Sequence, residues 1–344
     1  MTHPMPVMLE PIFVPKPWGG RALERLLNKS LPAGVAIGES WELADLPGAE
    51  SRVACGPLRG RSIRELASAW GADLFGDAPP AAGRFPLLIK FLDARETLSV
   101  QVHPLPQPGV PDEVVGVKHE AWYIVHAEPG AELFVGLRDG VTLDDLRRTA
   151  DTPQCADLLR RWPARVGDCF YLPSGTVHAL GGGIVVAEVQ TPSDTTYRLY
   201  DWGRADERGR RRELHIADAL ANARLGDADG VLAPRILSPG RGANPSPEVA
   251  QIINCDRFTI ALRRLTDQPV GACGAAPRVW IVVGGSGELR SETGARALSA
   301  GDTLLIPAAT PAANCVGVFD VLEVTPAPRS QNTPREAGAP STGP

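Results

Sequence analysis

Apolar positions along this chain fall in short runs rich in β-branched and aromatic residues, each closed off by glycine, proline, aspartate or serine. Runs of that kind predict strands. The clearest in the first half are Leu98-Ser-Val-Gln-Val-His-Pro104, Trp122-Tyr-Ile-Val-His-Ala-Glu-Pro-Gly-Ala-Glu132 and Val166-Gly-Asp-Cys-Phe-Tyr-Leu-Pro173. In the second half they are Trp280-Ile-Val-Val-Gly-Gly-Ser-Gly-Glu288 and Ala300-Gly-Asp-Thr-Leu-Leu-Ile-Pro307. Both Trp segments predict a strand, a glycine turn and a second strand. Helical spacing is confined to a few segments. Ile63, Leu66 and Trp70 lie on one helical face, so a helical segment is expected over 61–76. Thr142 with an aspartate in the first turn starts another, which should resume after Pro153 through Asp157–Trp162, giving 142–162 overall. A third, amphipathic, is expected over 212–225 as a bridge between the two halves.

The halves share a plan. Gly-Asp turns open the runs that end at Pro173 and at Pro307, and a Trp-led run precedes each. The arrangement is similar to the cupin β-barrel, a jelly roll whose small interior can hold one metal. The expected fold is mainly β with a few helices: two cupin-type jelly-roll β-barrels, the second degenerate, plus short helical insertions. Residues 1–233 would form the catalytic cupin domain and 234–247 a Gly/Pro/Ser-rich linker. Residues 248–326 would form the degenerate barrel and 327–344 a disordered tail. The repeat is also an internal control. His178 in the first copy aligns with Ala312 in the second, and Glu120 with Arg278. The scaffold can therefore be built without these two polar side chains.

Composition changes this picture little. The 36 glycines and 33 prolines in 344 residues suit many short strands better than long helices. A net charge of -5 with no basic tract argues against a nucleic-acid partner. No window reaches the apolar length of a membrane span, and Met1–Pro6 lacks the form of a signal peptide, so a cytoplasmic protein is expected. None of the six cysteines forms a Cys-x-x-Cys pair, so they are expected to be free thiols.

The candidate chemistry lies on the strands of the first half. His103, Glu120 and His178 can bind a divalent metal and leave a position open for substrate, which points to an enzyme. Residues two apart on a strand share a face. Ser99, Gln101 and His103 should therefore face together, as should Lys118 and Glu120, with His119 turned away. Arg198 should lie opposite Tyr197 and Leu199.

Taken together, the first two thirds of the chain resembles type I phosphomannose isomerase in its short bacterial form. The stretches that carry the resemblance are Pro17-Trp-Gly-Gly20, Gly38-Glu-Ser-Trp41, Phe85–Asp93 and Leu98–Pro104, followed by Lys118–Tyr123, Pro173–Leu180 and Asp194–Asp201. The resemblance implies interconversion of mannose 6-phosphate and fructose 6-phosphate through an enediol, with one Zn2+ per chain. It places the zinc ligands on Gln101, His103, Glu120 and His178. It puts Arg198 and Lys118 in catalytic positions, and Ser99, Lys90, Glu188 and Asp194 near the sugar phosphate. The implied partner is a small sugar phosphate, with no nucleic acid and no membrane. Lys118, His119, Glu188 and Asp194 are each chemically able to shuttle the proton, and the sequence does not choose among them. A non-catalytic sugar-phosphate sensor and an iron cupin oxygenase are the competing readings of the same scaffold.

Overall fold

Strand Leu88–Ala94 is buried at every position, so both its faces must be covered. Strand Ile184–Gln190 is the same. In strand Glu120–Ala127, Trp122 and Ile124 face one way, while Ala121 and Tyr123 face the other. These three strands lie at the centre of a six-stranded sheet completed by Cys169–Leu172, Glu39–Leu43 and Ile12–Val14. One face of that sheet packs on a five-stranded sheet made of Leu159–Pro163, Glu132–Leu137, His178–Ala179, Val100–Val102 and Tyr197–Tyr200. The architecture is mainly β, and the first jelly roll consists of two facing sheets. The computed structural model describes residues 3–77, 80, 83–206, 208–226, 249–271, 274–292 and 294–327. The expected linker at 234–247, and the expected tail from residue 328 onward, lie outside the described residues.

The other face of the six-stranded sheet is covered by the second half of the chain. Phe91, Ala121, Val185 and Val189 share a core with Phe258, Ile260, Ile281 and Leu322 of the eight-stranded C-terminal sheet. Each large side chain buried at this seam contributes about 1.5–3 kcal/mol. The seam is also stitched by backbone. Val7 and Met8 pair with Leu305 and Leu304 of the C-terminal sheet. The Ala308 and Ala309 amides donate to the Leu74 and Asp73 carbonyls. Arg257 meets Asp112 at 2.7 Å.

Helix Ile63–Trp70 starts at a capping box in which Ser62 and Glu65 satisfy each other's backbone amides. Helix Leu143–Thr149 starts the same way with Thr142 and Asp145. Three expectations are corrected. The helical segment expected through Asp157–Trp162 stops after Gln154–Asp157, and Leu159–Pro163 is an edge strand paired with Glu132–Leu137. The edge of that sheet needs hydrogen-bond partners, and this demand overrides the local preference of the Leu-Arg-Arg-Trp run. Helix Ile216–Asn222 does not bridge the halves; it packs on the outer face of the five-stranded sheet, with Ala219 beside Val100, Val102 and Leu199. The glycines after Trp280 do not make a turn. They lie inside one strand, Arg278–Ser291, whose pairing slips between Val282 and Gly284. There Gly285 adopts φ +74°, and a Cβ on Gly287 would lie 2.4 Å from the Phe319 ring. These glycines serve a bulge and a close approach. Among the described residues no helix is long and apolar enough to cross a membrane.

The repeat holds in space. Phe170 pairs with Trp122 as Leu304 pairs with Trp280, and Leu172 pairs with Glu120 as Ile306 pairs with Arg278. One offset shifts. Ala312 is exposed, whereas Ala313 is buried and pairs with Val270, as buried His178 pairs with Gln101. By strand pairing the counterpart of His178 is Ala313.

Candidate metal centre

Two facing sheets bring the three candidate ligands together. His103 follows strand Val100–Val102, and His178 opens the two-residue strand His178–Ala179 beside it. Glu120 opens its strand on the opposite sheet. His178 is paired with Gln101, so their side chains face the same interior. Glu120 Oε2 lies 3.4 Å from His103 Nε2, and Oε1 lies 3.1 Å from His178 Nε2. One ligand atom from each of the three lies within 4.8 Å of the others, and all three side chains are buried.

Each imidazole is held from behind. His103 Nδ1 is 2.9 Å from the Thr195 carbonyl, and His178 Nδ1 is 2.8 Å from the Thr176 carbonyl. A carbonyl only accepts, so both Nδ1 atoms carry the proton and both Nε2 lone pairs point at Glu120. Burial holds His103 below the ordinary histidine value, with Lys118 adding to it. Burial likewise pushes His178 down to about 4. Burial would raise the Glu120 carboxyl, but Lys118 and the two imidazoles hold it well below the usual carboxylate range. His103 Nε2 and Glu120 Oε1 are buried without a hydrogen-bond donor, and Glu120 Oε2 faces the Lys118 ammonium at 2.7 Å. Lone pairs facing a carboxylate in a dry interior repel, unless a cation sits between them. The residues therefore fit a divalent metal. Gly116 packs against the segment whose Thr195 carbonyl holds His103. It has φ +79°, and a Cβ there would lie 2.5 Å from Thr195 Oγ1, so only glycine lets the loop approach the segment that holds His103.

Gln101 lies beside the trio. Its Nε2 is 3.2 Å from His178 Nε2, and its Oε1 accepts from Ser99 Oγ at 3.0 Å. A half-turn of the amide would present the oxygen to the centre, with Ser99 accepting from the nitrogen. His119 is turned away, with Nδ1 3.0 Å from the Tyr171 hydroxyl. Arg198 is paired with Gln101, which sets it on the same inward face of the five-stranded sheet. Its guanidinium donates to the Glu213 carbonyl at 3.2 Å, and its backbone amide donates to His215 Nδ1 at 3.3 Å. Asp194 is largely exposed and lies 3.9 Å from Lys90 Nζ.

Behind the trio runs a row of alternating charges. Lys118 Nζ is 2.7 Å from Glu120 Oε2 and 3.8 Å from Glu188 Oε1. Lys90 Nζ is 3.5 Å from Glu188 Oε2 and 3.3 Å from Glu39 Oε2, and Lys16 closes the row 2.9 Å from Glu39 Oε1. The Trp122 indole donates to Glu188 at 2.9 Å, and the Trp41 indole donates to Glu39 at 2.6 Å. Burial raises the Glu188 carboxyl above its ordinary value even though Lys118 and Lys90 oppose it. Sequence reasoning passed over Glu39, Lys16 and His215. Only the local half of the signal for Glu39 was present, in that Glu39 and Trp41 are two apart on a strand and share a face; the pairing of Trp41 with Lys90 is a contact remote along the chain.

Burial alone would raise the Glu39 carboxyl, but Lys90, Lys16 and the Trp41 indole bring it down to about 2. A depressed carboxyl stabilises the folded state above its unfolded value, and that stability is lost as pH falls toward the folded value. We predict that the parent loses about 3 kcal/mol through Glu39 between pH 4.5 and 2. Glu39→Gln should flatten that part of the stability curve, measured by urea unfolding across this range. An identical slope in the variant would count against the assignment.

The chain is similar to known proteins along most of its length. The phosphomannose isomerase type I catalytic domain matches residues 7–112. The chain is 33% identical over 314 residues to a mannose-6-phosphate isomerase of Streptococcus mutans serotype c, covering 87% of this chain and 93% of the relative. It superposes on the crystal structure of the mannose 6-phosphate isomerase from Bacillus subtilis with a TM-score of 0.80 at 31% identity, covering 93% of this chain and 99% of that one. A mannose 6-phosphate isomerase bound with zinc and yttrium shares the fold, with a TM-score of 0.71 at 18% identity over 94% of this chain and 100% of that one. With a relative at 33% identity spanning most of its length, the chain belongs to the mannose-6-phosphate isomerase family and is by that membership an aldose–ketose isomerase.

Proposed function

We propose that this chain interconverts mannose 6-phosphate and fructose 6-phosphate at one zinc ion per chain. The observation that carries this reading is the convergence of His103, His178 and Glu120, all buried, with His103 Nε2 and Glu120 Oε1 lacking a hydrogen-bond donor. Two imidazoles and a carboxylate form a donor set suited to zinc, with Gln101 available as a fourth ligand. The ion, when bound, supplies Lewis acidity that stabilises the negative charge of an enediolate.

The remaining work belongs to side chains. Moving a proton between C1 and C2 leaves negative charge on the sugar oxygens. Lys118 and Arg198 are placed to offer charged donors to it, Lys118 beside Glu120 and Arg198 opposite Gln101. Lys90, Ser99 and Asp194 are the candidates for holding the sugar phosphate. The six groups of the charge row, three cationic and three anionic, sum to zero by count. A bound divalent cation makes the cavity net positive, which favours a phosphorylated substrate. His119 faces Tyr171, so the proton carrier lies among Lys118, Glu188 and Asp194.

The test is turnover of fructose 6-phosphate to mannose 6-phosphate, with and without a chelator, together with elemental analysis of the untreated protein. We expect zinc near one equivalent, loss of turnover on chelation and recovery on adding zinc back. Chelator-insensitive sugar-phosphate binding without turnover would instead make the protein a sensor. Redox-active iron with oxygen consumption would make it an oxygenase.

A further inference from the structure

The repeat bears on the role of Glu188. In the first half, Glu188 pairs with Trp122 across the sheet and accepts its indole N–H at 2.9 Å. In the second half, Glu323 pairs with Trp280 and accepts its indole N–H, also at 2.9 Å. Cations flank both carboxylates. Lys90 and Lys118 stand by Glu188. Arg263 Nη1 lies 2.8 and 3.0 Å from the two Glu323 oxygens, and Arg278 Nη1 lies 4.0 Å from one of them. Arg278 occupies the position that Glu120 holds in the first half, and Ala313 the position of His178. The Trp–Glu–cation unit therefore persists in the half that has lost these metal-ligand side chains.

A group needed only for proton transfer has no reason to recur in a half whose described residues hold no cluster of metal-ligating side chains. A group that ties two strands and orients cations does. Glu188 is anchored through one oxygen and flanked by a cation at the other: Oε1 takes the indole and faces Lys118, and Oε2, which makes no hydrogen bond, lies 3.5 Å from Lys90. We propose that Glu188 is a positioning residue, a scaffold carboxylate anchored by Trp122 that aims Lys90 and Lys118 into the cavity, and that it is not the base that moves the proton. The kinetic part rests on the isomerase reading above. The stability part does not.

Glu188→Gln keeps an oxygen for the indole and removes the charge that orients the lysines. Glu323→Gln makes the same change in the second half. We expect both variants to lower Tm by a similar few degrees. Glu188→Gln should raise KM for mannose 6-phosphate about ten-fold and keep kcat within about ten-fold, because loss of substrate positioning acts chiefly through KM. Solvent deuterium incorporation per turnover should match the parent, and the acidic limb of the kcat–pH profile should remain. A fall in kcat of about a thousand-fold or more, with loss of that limb and of deuterium exchange, is the signature of a base and overturns the proposal. So does a Glu188→Gln protein with parental KM and Tm. If Glu188→Gln does not accumulate as folded protein, Trp122→Phe releases the anchor and leaves the carboxylate in place. A rise in KM then supports positioning, and an unchanged KM overturns it. Should the parent show no isomerase turnover, the paired Tm values still decide the scaffold claim. A drop in Glu323→Gln alone ends it.

Discussion

Replacing His178 with alanine is expected to empty the metal centre and abolish turnover while leaving a folded protein. His178 is fully buried, with its Nε2 3.1 Å from Glu120 and its Nδ1 tied to the Thr176 carbonyl. It presents one of three donors that converge with no hydrogen between them. Tight zinc sites bind with about 10–16 kcal/mol, so one ligand of four carries about 3 kcal/mol, or roughly a hundred-fold or more in affinity. Dialysis should then remove the ion, and activity should fall to background and return only partly in excess zinc. Folding should survive for two reasons. Lys118 still compensates the buried Glu120 carboxylate at 2.7 Å. Ala313 already occupies the matching place in the second half, paired to Val270 as His178 is to Gln101. Elemental analysis after dialysis, activity and a thermal melt decide the matter together. A dialysed variant that keeps one equivalent of metal and parental turnover removes His178 from the centre.

The trio was legible in the sequence because strand geometry is short-ranged. Period-two alternation sets Ser99, Gln101 and His103 on one face, and the repeat singles out Glu120 and His178 against Arg278 and the alanines near residue 312. The same reasoning turned His119 away from the site, where it meets Tyr171. What the sequence did not yield depends on contacts remote along the chain. Leu159–Pro163 is a strand because the exposed edge of Glu132–Leu137 needs partners. Val7–Met8 pairs with a strand almost three hundred residues away, and nothing local signals that. Lys16 and Glu39 belong to the charge row only because strand Glu39–Leu43 lies beside Leu88–Ala94 in the sheet. The glycines after Trp280 misled because glycine serves both turns and close backbone approaches, and only the Phe319 ring decides which.

Replacing Arg198 with alanine is expected to give the converse of the His178 result: a loaded metal centre that turns over slowly. Arg198 shares the inward face of the five-stranded sheet with Gln101 and His178 through successive cross-strand pairs. Its guanidinium donates to the Glu213 carbonyl and its backbone amide to His215, and neither partner is a candidate ligand. Its loss therefore leaves the donor set intact, and zinc content should equal that of the parent. Arg198 Nε is buried without an acceptor, which leaves donor capacity for an anion entering the cavity. Preorganised donors aimed at developing negative charge are worth about a hundred- to a thousand-fold in kcat. A loss of that size with little change in KM assigns Arg198 to the enediolate. A rise in KM with kcat kept assigns it to the phosphate instead. Arg198→Lys should recover only part of the activity, since an ammonium supplies charge without the planar fork of donors. Equal turnover in Arg198→Ala and the parent, each with one zinc, would remove Arg198 from the mechanism and leave the cationic role to Lys118, 2.7 Å from Glu120.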